Sequence, residues 1–202
     1  MVEVAFQIAI LIMSAVIHEV AHGFTADALG DPTARYAGRL TLNPLKHLDP
    51  IGSVVVPIVT YMLGFVFGWA KPVPYNPANL RPGRWSEVWV ALAGPLSNFA
   101  IAIVFSIALR VGLTHGLSSE FVHITGLVIL INLLLGVFNL MPVPPLDGSR
   151  LLFALFPDKV YRYRNFFERT GFILVLIFIF FVWQIIAPVI GVLFHLLTGL
   201  SI

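Results

Sequence analysis

VAFQIAILIMSAVIHEVAHGFTADAL, residues 4–29, is an apolar run interrupted by His18, Glu19 and His22, and it stops at Gly30-Asp31-Pro32. A stretch this long with so few charges predicts a helix that crosses a bilayer, ended by glycine and proline. Within it, His18-Glu19-Val20-Ala21-His22 is an H-E-x-x-H pattern. Positions i and i+4 lie on one helix face, so both imidazoles can reach a single ion. Glu19 lies about 100° round the helix, close enough to take a proton from a water activated at that ion without itself being a ligand. Two histidines and a glutamate inside an apolar helix are costly unless paired or bound to metal. The run has no basic segment before it, its one early charge being Glu3, and no small-residue cleavage pattern after it. It reads as a retained helix, not a leader.

Composition agrees with lipid as the main solvent. Of 202 residues, 58% are hydrophobic and 11% charged, against about 25% charged in an ordinary soluble domain. A formal charge of +2 is too small to point to nucleic acid. There is no cysteine, so a metal site must be built from histidine and carboxylate.

Further apolar blocks run from Ile51 to Trp69, broken by Pro57, Gly64 and Gly68, from Ser86 to Leu113, from Phe121 to Met141, and from Gly171 to Leu200 with Pro188 inside. The last is long enough for a helix, a turn and a second, shorter helix. Basic residues cluster after the first block (Arg35, Arg39, Lys46), after the second (Lys71, Arg81, Arg84) and between the fourth and fifth (Arg150, Lys159, Arg162, Arg164, Arg169). Were every block a full span, the first two clusters would face opposite sides. If residues 51–69 form a re-entrant or hairpin segment, every basic residue except Arg110 faces the cytosol. Such a segment survives at membrane depth only where protein or water satisfies its backbone. The fold expected is an all-α membrane protein: a polytopic transmembrane helix bundle with a re-entrant segment and short cytosolic strands. It forms one integral-membrane domain over 1–202, with a core at 4–153 and C-terminal helices at 171–202.

Two histidines leave a catalytic zinc site one protein ligand short. Asp147 is a candidate for it. It sits in the stretch from Asn139 to Gly148, where Pro142, Pro144 and Pro145 break the fourth block. The prolines favour an extended backbone that can aim one carboxylate inward, although a proline-rich turn with a solvated aspartate has the same composition. Topology favours the inward reading, because the first and fourth blocks end on the same side. His22 lies about 10 Å along the helix from its end, a depth that Asp147 can reach.

The sequence resembles the site-2 protease family of intramembrane zinc metalloproteases. That family pairs an H-E-x-x-H helix with a later N-x-x-P-x-x-P-x-D-G segment, matched here by Asn139, Pro142, Pro145, Asp147 and Gly148. Ala93-Gly94-Pro95-Leu96-Ser97-Asn98 looks like the family's third core-helix motif, and residues 67–76 (FGWAKPVPYN) look like its short members. The resemblance covers about residues 14–153. It implies one zinc per chain held by His18, His22 and Asp147, with Glu19 as general base. Asn139 would hold the substrate backbone and Asn98 would help to polarise the scissile carbonyl; the bland alternative for each asparagine is an interhelical hydrogen bond. The partners implied are the bilayer, a transmembrane protein substrate already trimmed by another protease, and a regulatory membrane protein or a second copy of the chain. The site would lie in the cell membrane towards the cytosolic side.

Two edges, Arg39–Asn43 and Lys71–Asn76, read as extended and suit strand addition of an unwound substrate. A different class of function, a non-proteolytic membrane metal-binding or transport protein, would use the same histidines without hydrolysis. The remaining histidines carry less. His47 falls in a loop, His115 and His123 lie towards the outer side, and His195 reads as a packing or interfacial residue. Phe178, Phe180, Phe181 and Trp183 read as lipid contacts.

Overall fold

A computed structural model describes residues 2–62, 70–155, 184 and 186–201. The chain divides into two units, Met1–Arg81 and Pro82–Ile202. The expected lipid-facing aromatics Phe178, Phe180, Phe181 and Trp183, the basic residues Lys159, Arg162, Arg164 and Arg169, and most of the fifth apolar block lie outside the described residues.

The first unit is built on α1 (Val2–Ala28), a helix of 27 residues. At 1.5 Å per residue it is about 40 Å long, more than a bilayer core requires. It ends where the glycine and proline predict. The Gly30 N–H bonds the Asp27 carbonyl at 3.1 Å and the Asp31 N–H bonds the Ala26 carbonyl at 2.9 Å. Gly30 takes φ +108°, and this pairing is a Schellman stop, which needs a residue without Cβ strain. A short helix α2 (Thr33–Tyr36) follows, and Arg35 pairs with Asp27 across the turn.

Asn43 and Asp49 then cap two further turns. The Asn43 side chain accepts from the Leu45 N–H, starting the 3₁₀ turn Pro44–Lys46. Asp49 accepts from the N–H groups of Ile51 and Gly52, starting a π-type turn Pro50–Val55 that continues into α3 (Val56–Met62). The whole apolar helix Pro50–Met62 is about 20 Å long, short of the roughly 30 Å of a bilayer core. Residues 63–69 lie outside the described residues.

Residues 70–81 return across α1 as an irregular strap with one 3₁₀ turn, Pro77–Asn79. Contrary to the expected short cytosolic strands, there is no strand among the described residues. At Lys71–Asn76 the reason is a shortage of ladder donors. Pro72 and Pro74 have no N–H, and the donors of Lys71, Val73 and Asn76 go to the His47 carbonyl, the Glu19 carboxylate and the Asp31 carboxylate. At Arg39–Asn43 the Arg39 N–H returns to the Ala34 carbonyl and the Asn43 N–H bonds the Thr41 hydroxyl. These donors are therefore spent on local partners and not on a strand ladder.

The second unit contains α4 (Arg84–Thr114), α5 (Ser119–Asn139), α6 (Gly148–Leu155) and α7 (Ile186–Thr198). The two long helices are each long and apolar enough to cross a membrane, as α1 is. Between them the chain turns within residues 115–118, so they are antiparallel neighbours. Ser118 caps α5 by accepting from the Phe121 N–H. Small residues let them approach: a Cβ on Gly136 would lie 3.0 Å from the Phe99 ring, and one on Gly112 would lie 2.6 Å from Phe121. Ala102, Leu109, Ile129 and Leu133 form a core with Ile186, Ile190 and Phe194 of α7. Arg110 caps α7, donating to the carbonyls of Leu196 and Leu197 at 2.7 and 2.6 Å, a cation at the negative end of a helix. Whether a turn precedes α7 in the fifth block falls outside the described residues. Among the described residues the architecture is all-helical with three candidate membrane spans.

Candidate metal centre

The histidine pair is set by α1. His18 and His22 are 6% and 8% exposed, too buried for a solvated polar face in an apolar helix. Their ring centroids lie 4.6 Å apart with planes at 87°, an edge-to-face arrangement that one-turn spacing produces. With no cysteine in the chain, these imidazoles supply the donor chemistry that zinc takes in catalytic sites. The residues therefore fit the metal that the sequence implies.

Glu19 is held from the strap. Its Oε2 accepts the Val73 backbone N–H at 2.8 Å. The strap lies close because Gly23, one turn beyond Glu19, has no side chain. A Cβ there would come within 2.7 Å of Leu40 and 2.8 Å of Val73.

Asp31 anchors the strap further along. Fully buried, it accepts from the Thr33 N–H and hydroxyl, the Asn76 N–H and the Asn79 side-chain amide. Burial acts to raise its carboxyl. The hydrogen bonds from the Thr33 and Asn79 side chains and from the Asn76 and Thr33 backbones outweigh it and hold the group below its ordinary value. In the sequence Asp31 is legible only as part of a helix stop. The Asp-Pro-Thr spacing was a signal for a local turn, but nothing in the sequence pointed to Asn76 and Asn79. His47 is wholly buried, with Nε2 against the Thr41 carbonyl at 2.8 Å, so it is a loop-packing residue.

The second unit carries the other candidates. Asp147 is half-buried and immediately precedes α6. The chain reaches it through tight turns, with the Val143 N–H on the Met141 carbonyl at 2.8 Å and the Leu146 N–H on the Val143 carbonyl at 2.9 Å. Gly148 permits this, since a Cβ would overlap the Leu140 carbonyl. Asn139 ends α5 and donates to the Leu135 carbonyl at 3.0 Å, within its own helix. Asn98 is fully buried and donates to Asn132 Oδ1 at 2.9 Å, linking α4 to α5. Asn132, which sequence reasoning missed, in turn bonds the Val128 carbonyl at 2.8 Å.

Helices able to cross a membrane, one of them bearing a buried histidine pair and a held glutamate, define an integral membrane protein with a metallopeptidase-type helix. Residues 111–182 match the model of Peptidase family M50. The chain is 39% identical over 173 residues to "Putative zinc metalloprotease YwhC" of Bacillus subtilis, covering 83% of this chain and 76% of that one. It is 31% identical over 170 residues to "Putative zinc metalloprotease Rip2" of Mycolicibacterium smegmatis, covering 82% and 63%. It is 28% identical over 157 residues to "Zinc metalloprotease MJ0392" of Methanocaldococcus jannaschii, covering 74% and 34%. No solved structure matches significantly. The chain belongs to peptidase family M50, the site-2 protease family.

Proposed function

We propose that this chain is an intramembrane zinc metalloprotease that hydrolyses peptide bonds within or near the transmembrane segments of other membrane proteins. The observation that carries this reading is the buried His18–His22 pair on a helix long enough to span, with Glu19 held beside it. His18, His22 and Asp147 would hold one zinc ion, which when bound supplies Lewis-acid polarisation of a carbonyl and of water. Glu19 takes the proton from the attacking water and returns it to the leaving amine. With Oε2 on the Val73 N–H, the other carboxylate oxygen does this work. Asn139, at the end of α5, would hold the substrate backbone. Asn98 would act less directly, since its amide is engaged by Asn132.

Charge asymmetry supports a multi-pass arrangement in the cell membrane with the N-terminus outside and the active site towards the cytosol. The short helix Pro50–Met62 suits a re-entrant segment over a wet cavity. A regulatory membrane protein or a second copy of the chain would restrain cleavage.

Co-expression with a single-pass substrate tests the reading. Wild type should cut and Glu19→Gln should not, while both retain about one zinc per chain. The transport reading instead predicts that Glu19→Gln only weakens metal binding, with no cleavage by wild type to lose. Membership of a peptidase family supports hydrolysis.

A further inference from the structure

A glutamate side chain has three rotatable bonds, and a base works only when its oxygen is within reach of the proton it takes. On a smooth helical face nothing sets that reach. Here a donor arrives from outside the helix, 54 residues further along the chain: the Val73 N–H on Glu19 Oε2. The donor is itself fixed. Val73 is 5% exposed and lies between Pro72 and Pro74, which restrict the backbone to extended conformations.

On its near side, Lys71 donates its N–H to the His47 carbonyl at 2.8 Å, and Arg39 holds the Lys71 and Pro72 carbonyls at 2.9 and 3.4 Å. On its far side, Asp31 holds Asn76 at 2.6 Å and Asn79 at 2.9 Å, and the Arg81 N–H bonds the Leu29 carbonyl at 2.9 Å. A segment with little regular structure is thus fastened on both sides of Val73, to Arg39 and His47 before it and to the stop of α1 after it, with its bond to Glu19 in the middle.

We propose that residues 70–81 are a positioning strap for the general base, and that the Val73 backbone N–H selects the working rotamer of Glu19. Val73 is a positioning residue and touches no reacting atom. The inference rests on Glu19 being the base, as proposed above.

The proline context makes a clean test. Val73→Pro removes the donor and leaves an extended Pro-Pro-Pro run, while Val73→Ala keeps the donor and removes more side chain. Both are compared with wild type and Glu19→Gln as full chains in detergent, on one single-pass segment that wild type cuts. Val73→Pro should lose about 10–100-fold in kcat relative to Val73→Ala, with KM and zinc content equal in the two. With ¹⁵N-valine labelling, the Val73 amide should exchange slowly in wild type and faster in Glu19→Ala. Equal kcat in the proline and alanine variants, or a fast-exchanging Val73 amide in wild type, overturns the strap while leaving the base in place. Cleavage by Glu19→Gln overturns the reading on which it rests.

Discussion

Asp31 accepts the Asn76 backbone N–H at 2.6 Å, across 45 residues of sequence. The same carboxylate receives Thr33 and Asn79, so one buried group ties the end of α1 to the strap that reaches Glu19. Because these donors stabilise the ionised form, its folded-state value lies below 3.8. The stability it contributes is fully present above that value and is lost as pH falls through the lowered one. Asp31→Ala should cost on the order of 2 kcal/mol near neutral pH, since it strands buried donors. Thermal unfolding in detergent should show the gap between wild type and variant constant from pH 7 to about 5, then narrowing as the medium becomes more acid. A gap that widens in acid would contradict the assignment.

At Gly148 the obstacle to a side chain is the Leu140 carbonyl, backbone that no rotamer change can move. Gly148→Ala should therefore shift the turn that presents Asp147. If Asp147 is the third ligand, zinc retained after dialysis should fall at least tenfold in affinity, as expected when support for a metal ligand is lost. Metal analysis of purified protein measures this, and full retention of zinc would remove Asp147 or its turn from the site.

Asn98 and Asn132 join α4 to α5 through a buried amide pair at 2.9 Å. A double-mutant cycle with Asn98→Ala and Asn132→Ala should give a coupling of about 0.6 kcal/mol, the usual scale for hydrogen bonds between membrane helices. If Asn98 serves only this contact, Asn132→Ala should reduce cleavage as much as Asn98→Ala does. A much larger loss of kcat in Asn98→Ala would give that amide a role of its own with substrate.

Local chemistry made much of the molecule legible. The span of α1 and its stop at Gly30 follow from an unbroken apolar run and one residue that accepts positive φ. The long helices α4 and α5 follow the same logic, and the break before α6 was visible in its prolines, although they favour an extended backbone and the chain there makes tight turns. The histidine pair could be placed on one face because i and i+4 always share it. The expectation of short strands failed because alternation at Arg39–Asn43 and extension at Lys71–Asn76 record only backbone preference. Whether a ladder forms depends on which acceptors the donors meet.

For the H-E-x-x-H helix itself, sequence determined the residue types, their spacing and their apolar setting, and with them the peptidase family. Tertiary structure decided that a backbone N–H from Val73 meets Glu19 and that Asp31 and Arg39 fasten the segment carrying it. The physical reason is that every residue but proline has the same backbone donor. Its identity carries no trace in the side chains, and only the folded path of the chain says which carboxylate it will reach.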